Sequence, residues 1–468
     1  MWWRSGITLG HTGFLPWQRF FLGEGERAAH TYIVGTTTKG KSKFMVSCLY
    51  QDVLAGRGAG VIDPHGDLAD DLLRLLLRRP FWRRFDWTRL VYLDPARRDY
   101  AVGLNPLALE PGGDPYEVAT AVIEVFRRLW PLTLEEAPVF FDLLLHTLLL
   151  LIAGELTLLE APRLLTDRAY REALLARVGK PALTAFFHDR YERWGRERLL
   201  RSESTLNKLS ALLASDSLRW LLGQQEGGLN LRAVLDRGLV LVVNLGDCGE
   251  TTARFFGSLL VARLAQAAAS RRDIPERARR TPYYLYVDEF QQFVAGEGGR
   301  QTFAELLTGA AKFGLRLVLA HQTQGQLEPR LRSVLGNVGV KVVFGVERED
   351  AEVMARRLFA VDPQAVKQAA AFPGQHPLFA PLAEQWEERV AALQALPARS
   401  CYVKTPQQAA QRVRTLTVPE GPELAVALAE VKRASLRRYG RAVAEIEAEI
   451  AARLAAGVVR VQRQERVG

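Results

Sequence analysis

The eight residues Gly35–Ser42, GTTTKGKS, constrain this chain more than any other stretch. They follow the apolar run His30–Val34, HTYIV, and lead into Ser42–Ala55, SKFMVSCLYQDVLA, where apolar residues recur at helical spacing. The glycines at either end let backbone N–H groups turn inward around an anion, and the start of the following helix adds its positive dipole end. The run fits G-x-x-x-x-G-K-[ST] in its required strand–loop–helix setting. On this reading Gly35, Thr36, Thr37, Thr38, Lys39, Gly40, Lys41, Ser42 and Lys43 line a phosphate site. Lys41 reaches the β- and γ-phosphates of a nucleoside triphosphate, and the Ser42 hydroxyl holds Mg²⁺. Thr38 stands where many such loops carry another glycine, and Lys39 adds a cation beside the phosphates. The alternative is a glycine-rich turn with no ligand.

A phosphate turn of this kind belongs at the edge of a parallel sheet, and the flanking sequence supplies one. Strand-like runs GAGVID (Gly58–Asp63) and RLVYLDP (Arg89–Pro95) continue the alternation of strand and helix. The alternation stops near Gly113, and only helical patterns follow to about Gly228. These include APVFFDLLLHTLLLLIAG, interrupted by Asp142 and His146, which is expected to be a buried helix and not a membrane span. Strand patterns resume with RGLVLVVNLG (Arg237–Gly246), YYLYVDEF (Tyr283–Phe290), GLRLVLAHQ (Gly314–Gln322) and VKVVFGV (Val340–Val346). Two late strand-like pieces, SCYVKT and QRVRTLTV, close the domain, and helical segments follow Pro419. The fold class expected is α/β with a mostly parallel sheet and an inserted all-α domain. The expected division is 1–112 with 229–418, then 113–228 as the insertion and 419–468 as a helical tail.

Phosphoryl transfer needs a second metal ligand and a group to orient water. Asp288-Glu289 closes the apolar strand YYLYV, at the carboxyl end where α/β sheets place their sites. Asp288 is expected to hold Mg²⁺ and Glu289 to activate water; a carboxylate pair that merely ends a strand is the alternative. Gln322 ends the next strand and is expected within reach of the γ-phosphate, or else is an ordinary polar strand end. His321 is expected to be structural. In VIDPHGDLADD, Asp67 has the place of a helix N-cap with Asp70 and Asp71 in the first turn, while Asp63 and His65 are lesser candidates for the site.

Composition narrows the partner. With 62 Lys and Arg against 52 Asp and Glu, the net charge of +10 favours an anionic partner, nucleic acid or a membrane face, without choosing between them. Three cysteines and no CxxC argue against a disulfide framework or zinc site and suit a reducing compartment. The N-terminus has no secretory pattern, and Trp2 and Trp3 are expected to pack on the domain, with contact to a membrane or a partner as the alternative.

Taken in order, GTTTKGKS, VIDPHGD, LNPL (Leu104–Leu107), YVDEF, LAHQTQGQL and VGVKVVFGVEREDAEVMARRL resemble the HerA/FtsK superfamily of hexameric DNA-pumping ATPases, and most nearly the coupling ATPases of conjugative type IV secretion. The resemblance spans roughly Gly23 to Ala456. It implies a RecA-like domain, ATP and Mg²⁺, a ring of six subunits, and DNA bound without sequence preference in the channel. It assigns Lys41, Ser42, Asp288, Glu289 and Gln322 the roles derived above. Two features depart from the pattern. Many coupling ATPases begin with two membrane helices, whereas here the ATPase motifs start near the N-terminus. A cytoplasmic protein is expected, with docking at the inner membrane through an anchored partner, a relaxase or a nuclease left open. Relatives also offer an arginine to the neighbouring subunit where this chain has Ala311 before Lys312; Arg348, Arg356, Arg357 and Lys312 are the candidates to replace it. The basic run Ser270–Pro282 and the glycine-rich Val294–Gln301 are the expected DNA-facing loops, with a plain solvated loop as the alternative for the first. The function expected is a DNA translocase in conjugation-like transfer. The alternatives are a repair or packaging translocase, a protein-export or pilus motor, and a nucleotide-gated adaptor.

Overall fold

The computed structural model describes residues 6–456 apart from 14, 16, 79–84, 111, 131–136, 227, 276–279, 295–306, 308, 369–377 and 422. Trp2, Trp3 and all of Val294–Gln301 beyond Val294 therefore lie outside the described residues. The strands are β1 (Gly6–His11), β2 (Arg19–Gly23), β3 (Thr31–Val34), β4 (Gly58–Asp63), β5 (Leu90–Leu93), β6 (Tyr100–Ala101), β7 (Val240–Asn244), β8 (Tyr283–Val287), β9 (Leu315–His321), β10 (Val340–Val343), β11 (Val366–Gln368), β12 (Leu378–Phe379), β13 (Ser400–Lys404), β14 (Gln411–Thr415) and β15 (Arg441–Ala442).

Eleven of them form one sheet in the order β2-β1-β14-β13-β10-β3-β9-β8-β4-β7-β5. From β10 to β5 every neighbour is parallel. Helices cover both faces of this half, so β4, β5, β7 and β8 are buried at every position, and their sequences read as unbroken apolar runs. From β10 outward the pairing turns antiparallel through β13, β14, β1 and β2. The β1–β2 hairpin has no counterpart in the sequence reading. Its burial alternates along each strand, and a short half-buried strand leaves a weaker signature than a fully buried one.

Between β6 and β7 the described residues contain helices and no strand, as the sequence implies. Asp114 accepts a hydrogen bond from Tyr116 N and starts the helix Pro115–Leu129, with proline at the first helical position. Pro138–Ala153 is the apolar segment, a buried helix of 16 residues. Among the described residues no helix is long and apolar enough to cross a membrane. The helices Arg198–Leu213 and Asp216–Leu222 are separate, because Ser215 leaves helical geometry and caps the second by accepting from Leu218 N.

The C-terminal helices are built into the fold. The helix Ala425–Tyr439 lies along the sheet edge at β5, where Ser435 Oγ accepts from Tyr92 N and donates to Leu90 O, each at 2.8 Å. β15 pairs with β6, and the helix Val443–Ala455 then reaches the helical segment. There Arg453 pairs with buried Glu160 at 2.6 Å and donates to Gly223 O at 2.6 Å.

Candidate functional site

The parallel strands deliver their last residues to one edge. Val34 is level with His321, Val287 with Leu319 and Ile62 with Val287. The loop after β3, the carboxylates after β8 and Gln322 after β9 must therefore meet, which is the position α/β sheets use for ligands.

The loop has the backbone of an anion cradle. Gly40 has φ 101 and precedes the helix Lys41–Leu54, which has no side-chain cap, so its first N–H groups remain directed at the loop. A Cβ at Gly35 would meet Phe344 Cβ at 2.5 Å, so only glycine lets the loop leave the sheet here. Thr36 N donates to Gly345 O at 2.9 Å and ties the loop to the end of β10. Thr38 takes the left-handed φ of 63 that the sequence reading associates with a glycine. Lys41, 6% exposed, donates to Gly35 O at 2.5 Å. Burial lowers its pKa, against the opposing pull of Glu289 and Asp288. Two other lysines turn away from the cradle: Lys39 donates to Leu396 O at 3.2 Å, and Lys43 pairs with Asp71 at 2.5 Å.

Ser42 Oγ stands 3.4 Å from Asp288 Oδ2. Burial, with Glu289 and Asp63 nearby, pushes the Asp288 carboxyl up to about 6. Its Oδ1 accepts from Glu289 N at 3.0 Å. A hydroxyl and a buried carboxylate converging at the start of the helix Lys41–Leu54 suit the oxygen ligation that Mg²⁺ prefers, so the donor set fits a magnesium–triphosphate. Glu289, 5% exposed, has φ 42 and ψ 46, and its side chain lies between two carboxamides. Gln322 donates to its Oε1 at 2.9 Å and Gln291 to its Oε2 at 2.6 Å. Gln322, expected within reach of the γ-phosphate, has its amide on Glu289. Gln291 was missed, because a glutamine two residues past the pair carries no signal of its own.

The expectation that Asp67 caps its helix is corrected. Gly66 holds the cap position with φ 86, and Asp67 is the first helical residue. The capping carboxylate is Asp63, whose oxygens accept from His65 N at 3.0 Å and Ala69 N at 2.9 Å. His321 is structural, as expected: buried, stacked on Tyr32, and bonded to the Tyr32 hydroxyl. The basic run 270–282 is only partly a solvated loop. Arg271 is fully buried, bonded to Asp236, Thr281 O and Phe313 O, and Arg280 donates to Ile274 O and Lys312 O. Residues 276–279 of it lie outside the described residues. Arg348 is exposed and paired with Glu387 and Glu352, and Lys312 is exposed.

No protein-family model matches the sequence, and no curated protein is significantly similar to it. Solved structures are similar over most of the chain. The bacterial conjugative coupling protein TrwBΔN70, unbound, superposes with TM-score 0.59 at 18% identity, covering 86% of this chain and 87% of that one. The plasmid coupling protein TrwB in complex with ADP and Mg²⁺ gives 0.58 at 18% identity over 86% and 88%. VirB4 of Thermoanaerobacter pseudethanolicus gives 0.57 at 15% identity over 89% and 97%. These likenesses establish the class of fold: a mostly parallel sheet in a RecA-like P-loop architecture, as in the TrwB and VirB4 structures. The resemblance read from the motifs thus extends to the fold of nearly the whole chain.

Proposed function

We propose that this chain is an Mg²⁺-dependent ATP hydrolase of the conjugative, type IV secretion kind, working as a ring of six that moves DNA without reading its sequence. The observation that carries the reading is the convergence of Ser42, Asp288, Glu289 and Gln322 beside the Gly35–Ser42 loop. The loop N–H groups and Lys41 bind the phosphates, and Ser42 with Asp288 holds the metal. Bound Mg²⁺ neutralises charge on the phosphate oxygens. Glu289 takes the proton of the attacking water, and Gln322 links that carboxylate to the strand that follows. Nucleotide complexes of TrwB support ATP and Mg²⁺ as the ligands here.

The net charge of +10 and the likeness to a coupling protein support DNA as the cargo. We take residues 1–112 with 229–418 as the ATPase domain, 113–228 as an inserted helical domain and 419–468 as the tail. The trans-acting cation is drawn from Arg348, Arg356, Arg357 and Lys312. Of these Arg348 must first leave Glu387 and Glu352. A cytoplasmic location with docking on a membrane-anchored partner, relaxase or nuclease completes the reading. A second reading is a protein-export or pilus motor, which the same nucleotide site would fuel without DNA.

The test is ATP hydrolysis by the full chain alone, with single-stranded DNA and with double-stranded DNA, beside Glu289→Gln. DNA-stimulated hydrolysis, lost in the variant, is the expected result. Hydrolysis indifferent to DNA selects the protein motor, and none under any condition overturns both.

A further inference from the structure

Glu289 is held more firmly than its proposed role requires of a carboxylate alone. Its backbone sits in the left-handed region, at φ 42, where a non-glycine residue is strained and stays only when its surroundings compel it. Both oxygens are engaged by neutral N–H donors from two different elements. Gln322 comes from the strand end next door. Gln291 comes from the 3₁₀ turn Phe290–Phe293, which starts directly after the glutamate.

Gln291 uses only half of its amide. Its Oε1 is buried and has no hydrogen-bond partner among the described residues, a cost that ordinary packing does not explain. The turn that carries it is anchored from outside. Phe293 O accepts from Arg128 Nη1 at 3.0 Å and from Ser258 Oγ at 3.1 Å. The Phe293 ring fills the space over Gly257, where a Cβ would come within 2.3 Å of it. Arg128 lies on Pro115–Leu129, the first helix of the helical segment, and is half-buried, which lowers its pKa to about 10.

We propose that Gln291 is a positioning residue, aiming the Glu289 carboxylate at the loop beside Ser42 and Asp288, and that Arg128 fixes the turn bearing it from the helical segment. The inference rests on the proposed hydrolysis. The helical segment thereby sets the geometry of the group that activates water, through two hydrogen bonds and one turn of chain.

The experiment compares steady-state ATP hydrolysis and fluorescent ATP-analogue binding for the full chain, Gln291→Leu, Gln291→Asn, Arg128→Met, Glu289→Gln and the double variant Gln291→Leu/Glu289→Gln. Gln291→Leu is expected to lower kcat about tenfold, the worth of one hydrogen bond to a charged group, with KM and analogue affinity unchanged. Gln291→Asn, which keeps the amide, is expected to recover part of the rate. Arg128→Met is expected to lower kcat without changing KM. The double variant is expected to bind the analogue as Glu289→Gln does, since neither side chain holds the nucleotide. An unchanged kcat in Gln291→Leu, or a loss of analogue binding with it, overturns the positioning role. An unchanged kcat in Arg128→Met overturns the anchoring role. Wild-type hydrolysis that survives Glu289→Gln, or no wild-type hydrolysis, overturns the proposed function first.

Discussion

Ser42 Oγ lies 3.4 Å from Asp288 Oδ2, although the two residues are separated by 246 positions in the chain. Neither residue binds a cation well alone; together they present a hydroxyl and a carboxylate to one point, as oxygen-ligated magnesium requires. Asp288→Asn keeps the shape and removes the charge. It is expected to lower Mg²⁺-dependent ATP hydrolysis at least about 100-fold, a typical loss for removing a catalytic electrostatic partner. The melting temperature is expected to hold or rise, because a buried carboxyl that burial already pushes up to about 6 loses its charge. Parallel hydrolysis assays and thermal melts of the variant and the parent decide it.

Thr38 adopts φ 63 in the phosphate loop, and its hydroxyl donates to Thr37 O at 2.6 Å. A β-branched residue in the left-handed region costs about 1–2 kcal/mol, and glycine gives back roughly 0.5–1 kcal/mol of that as chain entropy. Thr38→Gly is therefore expected to stabilise the fold by up to about 1 kcal/mol. Urea denaturation of the two proteins measures it, and a loss of stability contradicts the strain.

Ser435 satisfies Tyr92 N and Leu90 O on edge strand β5 with one hydroxyl. Ser435→Ala leaves both buried groups unpaired, at about 1–3 kcal/mol for each such group. The variant is expected to melt lower and to lose its C-terminal helices to limited proteolysis sooner than the parent. Equal cleavage rates would mean the edge is held by packing alone.

Two buried histidines make the fold sensitive to mild acid. His30 Nδ1 accepts from Leu317 N, so Nε2 carries the proton and donates to Leu307 O. His321 Nδ1 donates to Thr323 O while Nε2 accepts from the Tyr32 hydroxyl. Neither ring has a lone pair free for a second proton. Burial, with Arg316 near His30 and Lys41 near His321, lowers them to about 4 and about 3. The unfolded chain takes up these protons near the ordinary imidazole value of about 6.5. Stability is thus full above that pH and falls as pH drops toward 4, by about 2 kcal/mol per histidine at pH 5. Urea midpoints at pH 7.5 and pH 5 test this, with His30→Leu expected to narrow the difference.

Much of this protein is written locally. The phosphate loop, the buried parallel strands and the carboxylate pair are contiguous in sequence. Their signals are backbone freedom at a glycine and an apolar run bounded by polar residues, and neither needs a distant partner to be read. That Gln322 ends a strand at the edge where the carboxylates lie is legible in the same way, whereas its bond to Glu289 is not.

What the tertiary structure decided depends on which distant segment comes to lie alongside. Arg271 reads as one more surface cation in a basic run, yet it is fully buried because Asp236 and two carbonyls converge on it. Asp63 and not Asp67 caps the helix, because the turn at Gly66 brings the strand's last side chain over the free N–H groups. The antiparallel extension brings β1 beside β14, with Gly10 level with Thr415, and no local period announces such a pairing. Gln291 acquires its place only once Arg128 and Ser258 hold Phe293. Periodicity specifies which face of an element is apolar; whether a polar side chain is solvated, capping or clamped depends on the partner that the fold brings to it.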